Sequence, residues 1–170
     1  HISSPGERAV PEFLKTVPDG FGLTLVDAGC GSGRAAVELA KAGFDVTLLD
    51  FCRSAVEPPA KDFLFIDAVL WDLPHVSFDY FYCVDVLEHI PPEKVEAVLD
   101  GLARLSRRGG FLQICCCEDG CGEVIGERLH LTVETPLWWL HRVASRWPIL
   151  TESLSRDYAT FTVGASHAHV

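Results

Sequence analysis

The sequence predicts an α/β fold: a doubly wound sheet of seven strands, mostly parallel, with one antiparallel strand in a C-terminal hairpin. Three observations lead there. Apolar runs alternate with segments of helical period from Leu23 onward, four of those runs close on an aspartate, and the last two runs are separated by only Ser155, Arg156 and Asp157. So short a connection implies antiparallel neighbours, whereas the earlier runs have helix-length spacers between them.

Taken in order, the chain opens with the polar SSPGER and a short apolar patch at Phe13, Leu14 and Val17, after which LTLVD (23–27) reads as a buried strand. A glycine turn leads into RAAVELAKAG, whose Ala36, Val37, Leu39 and Ala40 form a helical face that Gly43 stops. FDVTLLD ends the second strand at Asp50, and a short helical or irregular piece closed by Pro58 and Pro59 precedes the third strand, FLFID (63–67). The fourth is FDYFYCVD (78–85). Pro91 and Pro92 then open a helix with Val95, Val98, Leu99, Leu102 and Leu105 on one stripe, which Gly109 and Gly110 are expected to end. FLQICC is a fifth strand. Thr135 as N-cap and Pro136 at the first helical position begin a last helix, LWWLHRVASR, that Pro148 closes, and ILTESL and YATFTV complete the hairpin.

A chain of 170 residues, 48% of them hydrophobic, is expected to form a single domain over 1–170, with 1–20 as an N-terminal segment and 117–135 as a loop on the side of the acceptor pocket. The mean hydropathy of +0.20 argues against disorder. A formal charge of −10 disfavours nucleic acid as a partner, and no run reaches the length of a membrane span. Seven cysteines without a CxxC pair, in odd number and behind no signal-like opening, point to a reducing, cytoplasmic setting. The cluster CCCEDGC (115–121) lacks zinc spacing, and packing is the expected role of these thiols.

Ligands of such sheets bind beyond the carboxyl ends of the strands. Asp27, Asp50, Asp67 and Asp85 all stand at that position, 23, 17 and 18 residues apart, so carboxylates line one edge of the sheet beside the glycine turn. Each acid alone has a simple structural reading as a strand terminator or helix cap; four at one topological position point to a site. The turn excludes a P-loop, because no Gly-Lys-Ser or Gly-Lys-Thr follows. It leaves a dinucleotide open, since GSGRAA (31–36) fits the G-x-G-x-x-A variant, and an NAD-dependent oxidoreductase is therefore an alternative. Asp27 favours another ligand. A carboxylate under the turn serves a pyrophosphate poorly and the ammonium of an amino-acid ligand well.

VDAGCGSG (26–33) resembles the first motif of class I S-adenosylmethionine-dependent methyltransferases, an acid followed by alternate glycines. The likeness continues through LLDF (48–51), FIDA (65–68), VDVLEHIPP (84–92) and RRGGFLQI (107–114), and GERLHLTVETPLWW is similar to a segment of small, poorly characterised phage and bacterial methyltransferases. It implies a Rossmann-like methyl-group transferase with S-adenosylmethionine as cofactor and S-adenosylhomocysteine as product. By that resemblance Asp27, Gly29, Gly31 and Gly33 would surround the methionine portion, Asp50 would hold the ribose hydroxyls and Phe51 would flank the adenine. Asp67 and the Ala68 amide would read the adenine edge, and Asp85 and Val86 would line the methionine side.

The expected activity is metal-free methylation of an oxygen or nitrogen on a small-molecule acceptor, with His89 and His130 as candidate bases. His75, His141, His167 and His169 read as loop, helix-surface or tail residues. Of the adjacent Trp138 and Trp139, one is expected in the core while the other would wall the pocket. Asp85, Glu88, His89 and His130 also resemble the metal-binding arrangement of the family that methylates the terminal 2′-hydroxyl of small RNAs. That likeness implies a metal-assisted alternative, acting on a nucleic-acid end, with Glu88, His89 and His130 as ligands. A further alternative is a non-catalytic, cofactor-binding partner subunit.

Overall fold

The computed structural model describes residues 3–167. Its order of elements is α1 (Pro5–Thr16), β1 (Thr24–Ala28), α2 (Arg34–Lys41), β2 (Asp45–Asp50), β3 (Leu64–Asp67), β4 (Phe78–Val84), α3 (Val95–Leu105), β5 (Ser106–Cys115), α4 (Gly122–Ile125), α5 (Pro136–Ala144), β6 (Ile149–Leu154) and β7 (Tyr158–Val163). The strands form one seven-stranded sheet in the order β3-β2-β1-β4-β5-β7-β6. Only β7 is reversed, pairing antiparallel with β5 and β6, as the hairpin predicts.

Both faces of the sheet are covered, so its central strands are continuously apolar. Successive side chains point to opposite faces. Leu25, Tyr82 and Phe111 pack with Phe13, Ala36 and Leu39 under α1 and α2, while their neighbours Val26, Phe81 and Leu112 pack with Leu99, Trp139 and Trp147 under α3 and α5. The expected stripe of α3 is buried throughout, and Thr135 caps α5 by accepting the Trp138 N–H at 3.2 Å.

Two expectations change. The opening segment, read from the sequence only as polar residues and an apolar patch, contains a helix. Ser4 accepts the Glu7 N–H at 3.2 Å while the Glu7 carboxylate accepts the Ser4 N–H at 2.6 Å, a reciprocal cap that starts α1. Phe13, fully buried, then meets Phe44, Tyr80, Tyr82 and Phe111 with ring centroids 5.7–6.1 Å apart. The second change concerns Gly109 and Gly110, which do not end α3. The helix stops at Leu105, and both glycines lie inside β5.

Close backbone approach explains their position. A Cβ on Gly109, whose φ is +129°, would fall 2.0 Å from the Val163 carbonyl oxygen, and one on Gly110 would fall 2.4 Å from the Phe81 ring. Gly110→Ala should therefore destabilise the fold by about 1–3 kcal/mol through overpacking. Equilibrium urea unfolding measures this, and a midpoint equal to that of the unsubstituted protein would contradict the close packing of β4 on β5.

Candidate active site

The turn after β1 is built from bare backbone. Gly29 and Gly31 have φ of +76° and +50°, which side-chain-bearing residues rarely adopt. At Gly29 an added Cβ would lie 2.5 Å from Val86, whereas at Gly31 it would meet nothing within 4 Å. The first glycine is thus needed for packing and the second leaves room for a ligand. The turn is held from β2: the Leu49 carbonyl accepts the Gly29 and Cys30 N–H groups at 2.8 and 3.2 Å, and one oxygen of Asp50 accepts the Gly31 N–H at 2.9 Å. The other Asp50 oxygen accepts the Cys52 N–H at 2.9 Å. Phe51 beside it stands 74% exposed, an aromatic face with little protein over it.

Two adjoining cavities share Gly29, Asp85 and His89 as walls. One, of about 440 Å³, runs from Asp50 and Phe51 past Ala68, Trp71 and Val86 to Leu131. The other, of about 550 Å³, runs from the glycine turn and Asp27 to Glu88, His130 and Tyr158. Asp27 is buried, one carboxylate oxygen has no hydrogen-bond partner, and burial, with Asp50 nearby, pushes its pKa up to about 7. An ammonium group in the cavity would satisfy that oxygen. The orphaned acid, the bare Gly31 and the exposed Phe51 fit an amino-acid-bearing adenosyl ligand extended across both cavities.

At the far end, Asp85 follows β4 with φ +53°, a left-handed conformation fixed by its N–H on the Gln113 carbonyl (2.9 Å) and by the Gln113 amide on its carboxylate (3.2 Å). Burial raises its pKa. Glu88, on the next short 3₁₀ turn, is fully buried. One of its carboxylate oxygens accepts the Cys115 N–H at 3.3 Å, the other has no partner, and burial pushes its pKa up to about 8. The rings of His89 and His130 meet edge to face with centroids 4.8 Å apart. Each has Nδ1 near a carbonyl, Leu129 at 3.0 Å and Cys117 at 2.7 Å. A carbonyl only accepts, so in the neutral rings Nδ1 carries the proton and Nε2 keeps the lone pair.

The structure gathers most of the expected residues: Asp27, Gly29, Gly31, Asp50, Phe51, Ala68, Asp85, Val86, His89 and His130 all line the two cavities. Others stand apart. Gly33 is the left-handed N-cap of α2 and packs against Ala60, and exposed Asp67 lines neither cavity. The Ala68 N–H donates to the Asp50 carbonyl at 3.2 Å, so it is committed to the strand end rather than to an adenine edge. Trp139 is in the core as expected, but Trp138 lines neither of the two cavities, and the Arg142 guanidinium covers its ring at 3.3 Å. His75, His141 and His167 are exposed, and His169 lies outside the described residues.

The sequence reading missed Ser4, Pro5 and Gly6 at the start of α1, and Tyr82 and Tyr158, all of which line the larger cavity. Tyr82 donates to the Gly6 carbonyl at 2.7 Å and so ties the cap of α1 to the sheet. The S-x-x-E spacing of Ser4 and Glu7 is the signal that would have found this helix. Segment 117–135 returns over the cavity mouth, fastened where the Glu88 carbonyl accepts the Leu131 and Thr132 N–H groups at 2.8 and 2.9 Å.

Residues 25–110 match the family model described as a methyltransferase domain. An O-methyltransferase of Pyrenophora dematioidea is 28% identical over 130 residues, covering 68% of this chain and 48% of that one. A ubiquinone biosynthesis O-methyltransferase of Idiomarina loihiensis is 30% identical over 109 residues, covering 58% and 44%. The chain thus spans about half the length of these curated relatives. Among solved structures, the Synechocystis magnesium protoporphyrin IX methyltransferase with bound S-adenosylhomocysteine superposes with a TM-score of 0.67 at 23% identity, over 95% of this chain and 81% of that one. The Burkholderia thailandensis 1,6-didemethyltoxoflavin-N1-methyltransferase does so with a TM-score of 0.66 at 21% identity, over 95% and 78%. These two share the fold.

The buried Asp27 predicts a pH dependence. The unfolded chain releases this proton near the ordinary value of 3.8 and the fold holds it to about 7, so the contribution of Asp27 to stability falls as pH rises between those values and is flat above. Relative to Asp27→Asn, the unliganded protein should lose on the order of 2 kcal/mol between pH 5 and pH 8. Urea unfolding of both proteins at the two pH values checks this, and parallel stabilities would mean that Asp27 is ionised throughout.

Proposed function

We propose, from the premise that this chain belongs to the methyltransferase domain family, that it is a class I methyltransferase acting on a small-molecule acceptor with S-adenosylmethionine as cofactor. The observation that carries this reading is the glycine turn pinned to Asp50 above the orphaned Asp27 carboxylate, at the meeting of two cavities. Asp27 would face the ammonium of the methionine portion, Asp50 would keep lone pairs for the ribose hydroxyls, and Phe51 would flank the adenine. Val86 and the Ala68 flank complete the adenosine side. Gly33 acts from behind, shaping the turn as the left-handed N-cap of α2.

The bound cofactor supplies a methyl group already activated on a sulfonium. The protein's task is to hold the acceptor atom in line with that methyl and to take its proton. His89 and His130 are placed for this, since their Nε2 lone pairs are available while Nδ1 is tied to carbonyls. The cofactor, held by Asp27, Asp50 and Phe51, would supply the methyl group and keep the electrons of its carbon–sulfur bond, while His89 or His130 would take the acceptor's proton at Nε2. Oxygen is the favoured accepting atom, because the two curated relatives above are named O-methyltransferases. Segment 117–135 and the start of α1 wall the larger cavity and select the acceptor.

We further place the chain in the cytoplasm, where its free cysteines would stay reduced. Among the described residues no helix is long and apolar enough to cross a membrane. Nucleic acid remains disfavoured by a net charge of −10.

Calorimetry with S-adenosylhomocysteine tests the reading. Binding should be saturable, tighter than that of NAD, and weakened by roughly tenfold or more in Asp50→Ala, which removes both the ribose partner and the tether of Gly31. Binding should also be tighter at pH 8 than at pH 6, because Asp27 must ionise to face an ammonium. NAD binding tighter than S-adenosylhomocysteine would replace this function with the oxidoreductase alternative.

A further inference from the structure

The three consecutive thiols at the end of β5 are not equivalent. Cys115 is the last residue of the strand and the chain bends at Cys117, so side chains two positions apart emerge on the same side. Their sulfurs lie 3.1 Å apart, and the Cys115 thiol also points to the Cys117 carbonyl at 3.9 Å. Cys116 stands between them in sequence but turns its thiol to the Ile114 carbonyl, 3.7 Å away. A sulfur–sulfur bond is about 2.05 Å long, so Cys115 and Cys117 need to close by only about 1 Å to be joined.

This pair is tied to the reacting end of the larger cavity. Glu88 accepts the Cys115 N–H at 3.3 Å, and the Cys117 carbonyl accepts the Nδ1–H of His130 at 2.7 Å. Cys115, Glu88 and His130 line that cavity together. One carbonyl thus faces both a thiol of the pair and the ring of a candidate base.

We propose that Cys115 and Cys117 are a redox-active pair, closed to a disulfide by hydrogen peroxide, and that closure releases His130 from the Cys117 carbonyl. Cys117 is half-buried and Cys115 buried, so the oxidant meets Cys117 first. The Cys117 thiolate attacks one peroxide oxygen, the oxygen–oxygen bond breaks, hydroxide leaves, and the sulfur becomes a sulfenic acid. Cys115, whose thiol burial holds above its ordinary pKa, then attacks that sulfur and gives its proton to the departing oxygen. The sulfur–oxygen bond breaks as the sulfur–sulfur bond forms. In sum two thiols lose two electrons and one peroxide becomes two waters. Such a bond is transient in a reducing compartment, where thiol exchange reopens it.

The consequence rests on the base role given to His130 in the proposed methyl transfer. Drawing the two sulfurs together turns the Cys117 peptide, and the imidazole loses the acceptor that fixes its tautomer. Asp50 belongs to β2, with β1 and β4 between it and β5, so the cofactor side keeps its shape. Oxidation therefore stops proton removal without emptying the cofactor site.

Alkylation of the denatured protein after peroxide treatment, read by mass spectrometry, tests the pair. The oxidised protein should carry two fewer alkyl groups than the seven of the reduced chain, and dithiothreitol should restore them. Cys116→Ser and Cys121→Ser should still lose two groups, and Cys117→Ser should lose none to a bridge. A full set of alkyl groups in the peroxide-treated unsubstituted protein, or a bridge that persists in Cys117→Ser, overturns the pair. Nitrogen-resolved NMR of His130 tests the coupling: its Nδ1–H signal should move on oxidation and return on reduction, and a bridge that leaves the signal in place overturns the release. The oxidised protein should bind S-adenosylhomocysteine within about twofold of the reduced one, and loss of that binding on oxidation contradicts an untouched cofactor side. Absence of binding in both states counts against methyl transfer and not against the pair.

Discussion

Three strand ends are knotted together by one residue. The Asp50 carboxylate takes the Gly31 N–H from the turn after β1 and the Cys52 N–H from the turn after β2, while its carbonyl takes the Ala68 N–H from the turn after β3. Parallel strands present loose ends on the same side, and without such a tie their turns would have independent freedom. Here the shape of the cavity around Asp50 is fixed before any ligand arrives, which lowers the ordering cost of binding. The arrangement also explains why an acid is required at this place. Only a carboxylate accepts from two turns and still retains lone pairs for hydroxyl groups.

Beyond that knot the site is in electrostatic tension. Asp27, Asp85 and Glu88 all sit in or beside the larger cavity with raised pKa values, burial being the leading cause for each. Two of them keep an unpartnered buried oxygen. A fold would discard such groups if stability alone were selected, because apolar residues of similar size would pack there without penalty. Their presence makes the pocket a place where positive charge is strongly favoured. The sulfonium and ammonium of the proposed cofactor are charges that such a place would hold.

How far the chain could be read without coordinates follows from the range of each signal. Strand runs, the α3 stripe and the three-residue hairpin loop are local patterns, and they placed the sheet and its single reversed strand correctly. Carboxyl-end acids were legible because topology alone sends them to one edge. Gly109 and Gly110 misled, since a glycine pair that ends a helix and one that admits a neighbouring strand look alike; only the distances to Val163 and Phe81 separate them. Ala68 and Trp138 were misplaced for a related reason: a backbone donor and an aromatic face were each occupied by a partner far from anything their motifs contain. The meeting of His89 with His130 bridges 41 positions, and nothing periodic connects them.

The cap of α1 has a consequence for architecture in longer chains. Ser4, Pro5 and Gly6 are at once the first turn of a helix and part of the cavity wall, with Gly6 held to the sheet by the Tyr82 hydroxyl. In a homologous chain, a segment joined to this cap would therefore start beside the cavity wall. In a relative with more sequence on that side, the added segment needs no new anchor to become a lid. Diversity of acceptors among chains with this sheet would then accumulate at a single attachment point, leaving the cofactor side untouched.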